Sequence, residues 1–252
     1  MAPARTVASA VAVTGALLPA FWALKLVNPP ASQRVPQLYL RALARALGLE
    51  TRVHGTPVSG SVLYVSNHLS WIDIPVLGSQ VHATFVAKRE VAEMGLLGRL
   101  ADLGGTIYVD RSRRLESGAQ ASSIAERLRR GGNVILFPEG TSGDGRRVLP
   151  FKSALFAASA GVRGLRVQPV SLAYTAVNGL PVTRNRVLDI AWIGDMAFAP
   201  HLAEVTRLGR IRAELLFHEP IEVREDADRK ALARQCHAVV ARGYARLMRG
   251  DP

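Results

Sequence analysis

The sequence predicts an α/β fold, a mainly parallel sheet covered by helices, with an N-terminal membrane-associating helix or helical hairpin. From residue 52 onward, short β-rich runs alternate with helical patterns, as strand–helix–strand units require. Gly-Gly pairs at 104–105 and 131–132 end helical stretches directly before β-rich runs, a usual position for glycine. An uncharged apolar run near the N-terminus predicts the membrane-associating segment.

That run covers residues 7–24 without a charge, at the short end of the roughly 17–25 residues of a bilayer-spanning helix. We favour an uncleaved anchor or an embedded hairpin, although Pro19 lies within it. A secretory signal peptide is an alternative because Arg5 precedes the apolar stretch, and a buried helix is another. Phe21 and Trp22 weigh against a signal peptide, since they stand where a cleavage site needs small residues.

A second segment, residues 37–48, follows the helix-breaking pair Pro29-Pro30. It carries a leucine stripe with two arginines on the other side, at Leu40, Leu43 and Leu47 and at Arg41 and Arg45. Such a helix suits a headgroup layer, with its arginines among lipid phosphates; an ordinary surface helix packed on the domain fits equally well. We therefore predict a membrane-associating segment over residues 1–50 and one α/β domain over residues 51–252.

The body of the chain divides into strand and helix candidates. The predicted strands are 61–66, 83–88, 106–109, 133–137, 166–174, 186–192 and 212–218. The predicted helices are 90–103, 113–130, 152–160 and 226–248. Because ligands of open α/β sheets collect beyond the carboxyl ends of strands, the segments 66–73 and 137–142, which each follow a predicted strand, are the candidate site.

The first segment contains His68 and Asp73. A base that deprotonates an alcohol needs an imidazole held in one tautomer by a carboxylate. On one continuous helix, side chains five residues apart point about 140° away from each other. The two can meet if His68 lies on the loop and Asp73 lies in the first turn of the next helix. In the alternative interpretation, Ser70 is the N-cap of a capping box and Asp73 only caps.

The second segment reads Phe137-Pro-Glu-Gly-Thr-Ser142. Glycine in such a turn lets backbone N–H groups approach a phosphate or an oxyanion closely. The composition of this turn alone is weak evidence for a function.

Together, the two segments resemble the glycerolipid acyltransferase family, which contains the 1-acylglycerol-3-phosphate acyltransferases. Asn67-His68-x4-Asp73 precedes Phe137-Pro-Glu-Gly-Thr, and further family blocks lie between and after them. These blocks are Phe85–Val91, Gly105–Arg111, Leu149–Lys152 and Val167–Val170. All follow the family's order across residues 64–175, and the resemblance is looser beyond residue 180.

The resemblance implies an acyltransferase domain in which His68 is the general base and Asp73 orients and charge-stabilises it, without a covalent acyl-enzyme. It also implies that the acceptor head group is held by Lys88, Arg111, Glu139, Gly140 and Thr141. The implied partners are a lysolipid acceptor and an acyl-carrier protein or coenzyme A thioester as co-substrate. We expect no cofactor and no metal site.

One departure from the family pattern bears on the acceptor. Lysophosphatidate acyltransferases usually continue Phe-Pro-Glu-Gly-Thr with arginine, which grips phosphate well, whereas this chain has Ser142. This block and Ala191–Met196 resemble the lyso-ornithine lipid acyltransferase branch of bacteria, whose acceptor is a phosphorus-free aminolipid. We expect acylation of lyso-ornithine lipid, 1-acyl-sn-glycerol-3-phosphate or both; the alternative is an enzyme strictly for the phosphorylated acceptor.

Charge and composition limit the remaining classes. The single cysteine, Cys236, excludes an internal disulfide, and the six histidines never fall three or four residues apart, so no zincin-like pair is present. The net charge of +12 favours an anionic membrane surface or nucleic acid. The membrane-compatible segments favour the membrane, and we expect the cytoplasmic face of the inner membrane and no nucleic acid. A non-catalytic basic binding protein and a hydrolase are the rival classes.

Overall fold

The computed structural model describes residues 3–28, 32, 34–109, 117–159, 162–224 and 227–252. Its strands are β1 Leu49–His54, β2 Val62–Ser66, β3 Thr84–Lys88, β4 Ile107–Val109, β5 Val134–Leu136, β6 Arg166–Val177, β7 Leu180–Pro181, β8 Ile211–Phe217 and β9 Ile221–Glu222. Its α-helices are α1 Pro3–Val27, α2 Val35–Ala46, α3 Asp73–Gln80, α4 Leu96–Leu103, α5 Ser117–Arg129, α6 Phe198–Arg207 and α7 Arg229–Arg249. Within the described residues, 3₁₀ helices cover Arg89–Glu93, Ser153–Ser159 and Arg186–Asp189.

The strands form one sheet in the order β1-β8-β6-β2-β5-β3-β4. All neighbours in this order are parallel except β6 and β8, and β7 and β9 also pair antiparallel with β6. The prediction of a mainly parallel sheet covered by helices is therefore confirmed. β2 is buried along its whole length, as a central strand covered on both faces should be.

Helices cover both faces of the sheet, and β2 shows the alternation that this requires. Leu63 and Val65 pack into a core with α5, α7 and the 3₁₀ helix Ser153–Ser159. Tyr64, between them, packs into the core on the opposite face, which includes residues of α2, α3 and α6. The carboxyl end of β2, where the first candidate segment begins, is thus enclosed between two helical layers.

The two N-terminal helices lie against the domain. The Tyr39 hydroxyl of α2 lies 3.1 Å from Thr14 Oγ1 of α1, and Arg41 of α2 donates to the Ser79 carbonyl at the end of α3 (3.0 Å). Among the described helices, Ala4–Val27 is long and apolar enough to cross a membrane, and only 6% of its apolar window is buried. That exposure contradicts the buried-helix interpretation.

Three of the predicted elements differ in the structure. The predicted helix 152–160 is a 3₁₀ helix over Ser153–Ser159. Residues 186–192 do not form a strand but begin with the 3₁₀ helix Arg186–Asp189, because the fully buried Val187 and Ile190 are three residues apart and match its repeat. Residues 90–103 do not form one helix: a 3₁₀ turn and α4 meet at Gly95, whose φ is +54°. Among the residues that the structure describes, β1, β7, β9 and α6 are elements that the sequence pattern did not predict.

Gly243→Ala should destabilise the protein, although alanine normally stabilises a helix interior by about 1 kcal/mol relative to glycine. A Cβ at residue 243 would lie 2.3 Å from Ser171 Oγ and 2.5 Å from the His218 ring. Helix α7 would have to move away from β6, at a cost on the order of 1–3 kcal/mol. Thermal unfolding measures the change. Gly15→Ala in α1, where a Cβ would meet nothing within 4 Å, should not lower the midpoint; an equal response of the two variants would contradict the packing argument.

Candidate active site

The loop that carries His68 is fixed where it leaves the sheet. The Asn67 side chain donates to the Leu172 carbonyl (2.8 Å) and accepts from the Leu172 N–H (2.9 Å). Asn67 is almost fully buried, and its amide replaces the backbone pairing that β2 would otherwise continue with β6. The chain can therefore turn directly after β2 without leaving buried polar groups of β6 unpaired.

His68 and Asp73 meet in the arrangement that their spacing allowed. Helix α3 begins at Asp73, and Asp73 Oδ2 lies 2.7 Å from His68 Nδ1. The same oxygen accepts the N–H groups of Leu69 (2.7 Å) and Ser70 (3.0 Å), and Oδ1 accepts the Tyr174 hydroxyl (2.5 Å). Asp73 is fully buried, and these four donors compensate for the loss of water around its carboxylate.

Tyr174 stays a hydrogen-bond donor to Asp73. Burial, together with the charge and hydrogen bond of Asp73, holds the pKa of Tyr174 well above its usual range. The hydroxyl therefore keeps its proton. Tyr174 lies on β6, 101 residues from Asp73 in sequence, and no local motif marked it as part of the site.

The hydrogen bond with Asp73 defines the tautomer of His68. An ionised carboxylate can only accept a hydrogen bond, so His68 Nδ1 must carry the hydrogen that it donates to Asp73, and Nε2 keeps a free lone pair. The His68 ring stacks on Phe137, with centroids 4.2 Å apart and planes 16° from parallel. The side chain is 20% exposed and lines a cavity. His68 is thus held on one side by Asp73 and on one face by Phe137, while its basic nitrogen remains available.

The Ser70 hydroxyl does not cap helix α3, although the reciprocal bond of a capping box, from the Ser70 N–H to Asp73 Oδ2 (3.0 Å), does form. Helix α3 has Ile72 at its N-cap and no side-chain cap, and the buried Ser70 Oγ has no hydrogen-bond partner in the described part of the chain. Asp73 caps the N–H groups of Leu69 and Ser70 while it also binds His68. The capping role and the role toward His68 therefore belong to one carboxylate.

Glycine is required in the turn that follows β5. Gly140 has φ +76°, and a Cβ there would lie 2.7 Å from Lys152 Nζ. Its N–H donates to the Phe137 carbonyl (3.1 Å), and the Lys152 N–H donates to Pro138 (2.9 Å). Gly140, Thr141 and Ser142 line the same cavity as His68. The two candidate segments are therefore brought together.

Glu139 lies behind this turn rather than in the cavity. Its side chain is 3% exposed; Oε1 accepts the His68 N–H (2.8 Å) and Oε2 accepts the Leu149 N–H (2.9 Å). The Gly143 N–H in turn donates to the His68 carbonyl (2.8 Å). Glu139 thus links the two segments through the backbone of His68, and direct contact with a head group, as the resemblance implied, would require this turn to open.

The other predicted head-group residues are distributed as follows. Lys88, at the end of β3, is exposed and lines the cavity, and the exposed Thr141 does so from the opposite turn. Arg111 lies outside the described residues. Lys152, beside Gly140, is a further exposed cation close to the turn.

The cavity has a volume of about 590 Å³ and two chemically different regions. Its apolar region extends between the domain and the N-terminal helices, which contribute Leu17, Leu18, Phe21, Tyr39, Leu40 and Leu43. The polar lining includes His68, Lys88, Glu90, Asp195 and the 140–142 turn. A long hydrocarbon chain and a reacting polar group can therefore occupy one continuous space.

A pair of residues that sequence reasoning missed supports one wall of this cavity. The Trp71 indole N–H donates to His201 Nδ1 (3.0 Å), and His201 Nε2 lies 3.0 Å from the Ala191 carbonyl, to which it donates. Burial lowers the pKa of His201, which keeps the ring neutral so that Nδ1 can accept. The His201 side chain is 1% exposed and positions Trp71, which lines the cavity.

The link through Glu139 should make protein stability depend on pH. Burial raises the pKa of Glu139 to about 8, with a smaller contribution from Asp73, while the His68 and Leu149 N–H groups oppose the shift. The folded chain therefore holds a proton that the unfolded chain, with a usual pKa near 4.5, releases. Stability from this group is present below about pH 4.5 and is lost as the pH rises toward 8.

Chemical denaturation of wild type and Glu139→Gln at pH 5 and pH 8 tests this. The stability advantage of wild type over the variant should shrink with rising pH, by up to about 1.4 kcal/mol for each pKa unit between the two states. Glu126→Gln, at an exposed carboxylate paired with Arg130, should show no such decrease. A constant difference between wild type and Glu139→Gln would contradict the raised pKa.

This chain is similar to known acyltransferases. The sequence model of the acyltransferase family matches residues 50–173. A lyso-ornithine lipid O-acyltransferase of Brucella abortus (strain 2308) is 43% identical over 236 residues, covering 90% of this chain and 88% of that protein. A 1-acyl-sn-glycerol-3-phosphate acyltransferase of Neisseria gonorrhoeae is 33% identical over 57% of this chain and 56% of its own length.

A solved structure has the same fold. The crystal structure of the 1-acyl-sn-glycerophosphate acyltransferase PlsC from Thermotoga maritima matches with a TM-score of 0.65 at 21% identity, covering 92% of this chain and 87% of that chain. The match of the family's sequence model and the extended identity to the Brucella abortus protein show that this chain belongs to the acyltransferase family.

Proposed function

We propose that this enzyme transfers a fatty acyl group from a thioester to the free hydroxyl of a lysolipid, with lyso-ornithine lipid as the acceptor. The observation that carries the proposal is the His68 Nδ1–Asp73 Oδ2 hydrogen bond of 2.7 Å at the polar end of an apolar cavity. Four relatives that are 36–43% identical over 79–90% of this chain are named lyso-ornithine lipid O-acyltransferases.

The chemistry needs one base and no covalent intermediate on the enzyme. His68 Nε2 takes the proton of the acceptor hydroxyl as its oxygen attacks the thioester carbonyl carbon. The C–S bond breaks, an ester forms, and the departing thiolate takes the proton back from His68. Asp73 stabilises the imidazolium that exists between these transfers, so the pair contributes about 10² to 10⁴ in rate.

The apolar region of the cavity would hold hydrocarbon. Residues of α1 and α2 line it together with residues of the domain, so a chain could pass from a membrane that surrounds α1 to His68 without crossing water. Exposed apolar side chains on α1, including Trp22 and Leu26, favour contact with lipid. Membrane association of this lipid-biosynthesis enzyme follows, and we place it at the cytoplasmic face of the inner membrane.

The positive net charge of the protein suits an acidic or phosphorylated acyl donor. A net charge of +12 attracts an anionic membrane surface and either an acidic acyl-carrier protein or the phosphorylated coenzyme A. Lys88 and Arg111 would bind anionic groups of the substrates, and Thr141 would donate a hydrogen bond from the turn. No further cofactor is needed because the thioester is already an activated acyl group.

A parallel acceptor assay tests the proposal. Purified enzyme in detergent receives radiolabelled acyl-carrier protein thioester with lyso-ornithine lipid, with 1-acyl-sn-glycerol-3-phosphate, or with neither. Diacylated product from lyso-ornithine lipid, and no free fatty acid without an acceptor, is expected. Conversion of only the phosphorylated acceptor would make this chain a lysophosphatidate acyltransferase, and release of fatty acid alone would make it a hydrolase.

A further inference from the structure

One wall of the cavity, formed by Trp192, Gly194, Asp195 and Met196, is fixed to both candidate segments. The Trp192 N–H donates to the Leu69 carbonyl (2.9 Å), one residue after His68. The Ser142 hydroxyl donates to the Trp192 carbonyl. The Trp192 indole then donates to the Met196 carbonyl (2.7 Å), which closes a tight loop. This wall therefore has a defined position relative to His68 and the 140–142 turn.

The loop carries an exposed carboxylate, Asp195, into the lining of the cavity. No ion pair engages Asp195 within the described ranges of the chain. The described charged residues that line the cavity, besides His68, are Lys88, Glu90 and Asp195. The two carboxylates offer partners to a positive group of a ligand and would repel a phosphate placed beside them.

Ser142 connects this charge to the choice of acceptor. Where lysophosphatidate acyltransferases usually have arginine, this chain has a hydroxyl that lines the cavity and holds the wall bearing Asp195. With serine at position 142, the cavity lacks the arginine that would bind a phosphate. The Ser142 hydroxyl instead holds the loop that carries the Asp195 carboxylate. Arginine at position 142 could not donate this hydrogen bond in the same geometry and would pair with a nearby carboxylate.

We propose that Asp195 binds the ammonium group of an aminolipid acceptor and thereby selects it over a phosphorylated acceptor. The proposal rests on the proposed function and deepens it, since the ornithine head group carries a free ammonium. The ion pair would orient the head group at the wall while the acceptor hydroxyl faces His68. Asp195 would thus be a specificity-determining residue rather than part of the proton transfer.

The experiment compares two acceptors, lyso-ornithine lipid and its derivative acetylated on the side-chain amine, which has no ammonium charge. Wild type should prefer the charged acceptor by about tenfold in kcat/KM, mostly through KM. Asp195→Asn should lose about tenfold with the charged acceptor and little with the acetylated one. Acylation of lysophosphatidate by the variant should be no slower than by wild type.

Two further variants make the test specific. Asp189→Asn alters an exposed carboxylate six residues away that does not line the cavity, and it should keep the wild-type preference. Glu90→Gln alters the other cavity carboxylate. Loss of the preference in Glu90→Gln but not in Asp195→Asn would overturn the assignment.

The possible failures are distinguishable. If wild type acylates neither aminolipid, the proposed function fails. If wild type acylates both equally, or if Asp195→Asn loses the same factor with both, then only the role of Asp195 fails.

Discussion

His68→Ala should lower the rate of acyl transfer by about 10² to 10⁴ while the protein remains folded. The substitution removes the nitrogen that takes the acceptor proton. It leaves intact the backbone bonds from the His68 N–H to Glu139 and from the Gly143 N–H to the His68 carbonyl, so the loop should keep its path. The rate with saturating thioester and lysolipid, together with circular dichroism and the unfolding midpoint, measures both statements.

The chain offers a matched control in a second histidine–carboxylate pair. His54 Nε2 lies 2.8 Å from Glu214 Oε2, and neither residue lines the cavity. His54→Ala should therefore keep the wild-type rate within about twofold. Acyl transfer by His68→Ala at more than a tenth of the wild-type rate would contradict the general-base role. If the protein were a non-catalytic, basic binding protein, His68→Ala would leave its function unchanged.

The sheet could be predicted because its central strands are recognisable from their own apolar sequence. The elements that were missed form because of contacts with distant parts of the chain. The central strand β2 is a short, continuous run of buried apolar residues, which is typical of a parallel sheet. The edge strand β1 reads LETRVH and is only partly buried, so pairing with β8 and not its own pattern defines it. Helix α6 was not predicted, and it contains Pro200, a residue that usually breaks a helix. It forms nevertheless because Pro200 lies in its first turn, where the missing N–H costs little.

The site was predictable to the extent that its residues are close in sequence. His68 and Asp73 are five residues apart, and the strand-end rule places the Phe137–Ser142 turn near them. Tyr174 and His201 come from distant elements and are single residues without a motif, so only the fold reveals their contacts. The Ser70 hydroxyl does not cap because the Asp73 N–H, which it would have to accept, donates to the Ser70 carbonyl instead (3.0 Å), and sequence spacing does not distinguish these two acceptors.

Asp73→Asn should lower kcat by about 10²-fold or more with little change in KM for the acceptor. The amide oxygen can still accept from His68 Nδ1 and from the Leu69 and Ser70 N–H groups, so the histidine keeps its orientation. Asparagine, however, lacks the negative charge with which Asp73 stabilises the imidazolium that forms during proton transfer. Asp73→Ala should be less stable than Asp73→Asn, because it leaves buried donors without a partner, and each of these lowers the free energy of unfolding by about 1–3 kcal/mol.

Tyr174→Phe separates the charge of Asp73 from its hydrogen bonds. It removes the donor to Oδ1 but keeps the carboxylate and all contacts of Oδ2, so kcat should fall by about tenfold or less. Steady-state kinetics of both variants, with unfolding midpoints to compare their stability, provide the measurement. If Asp73→Asn is folded and keeps kcat within tenfold of wild type, then Asp73 only caps the loop, and the negative charge beside His68 is not what makes this histidine a base.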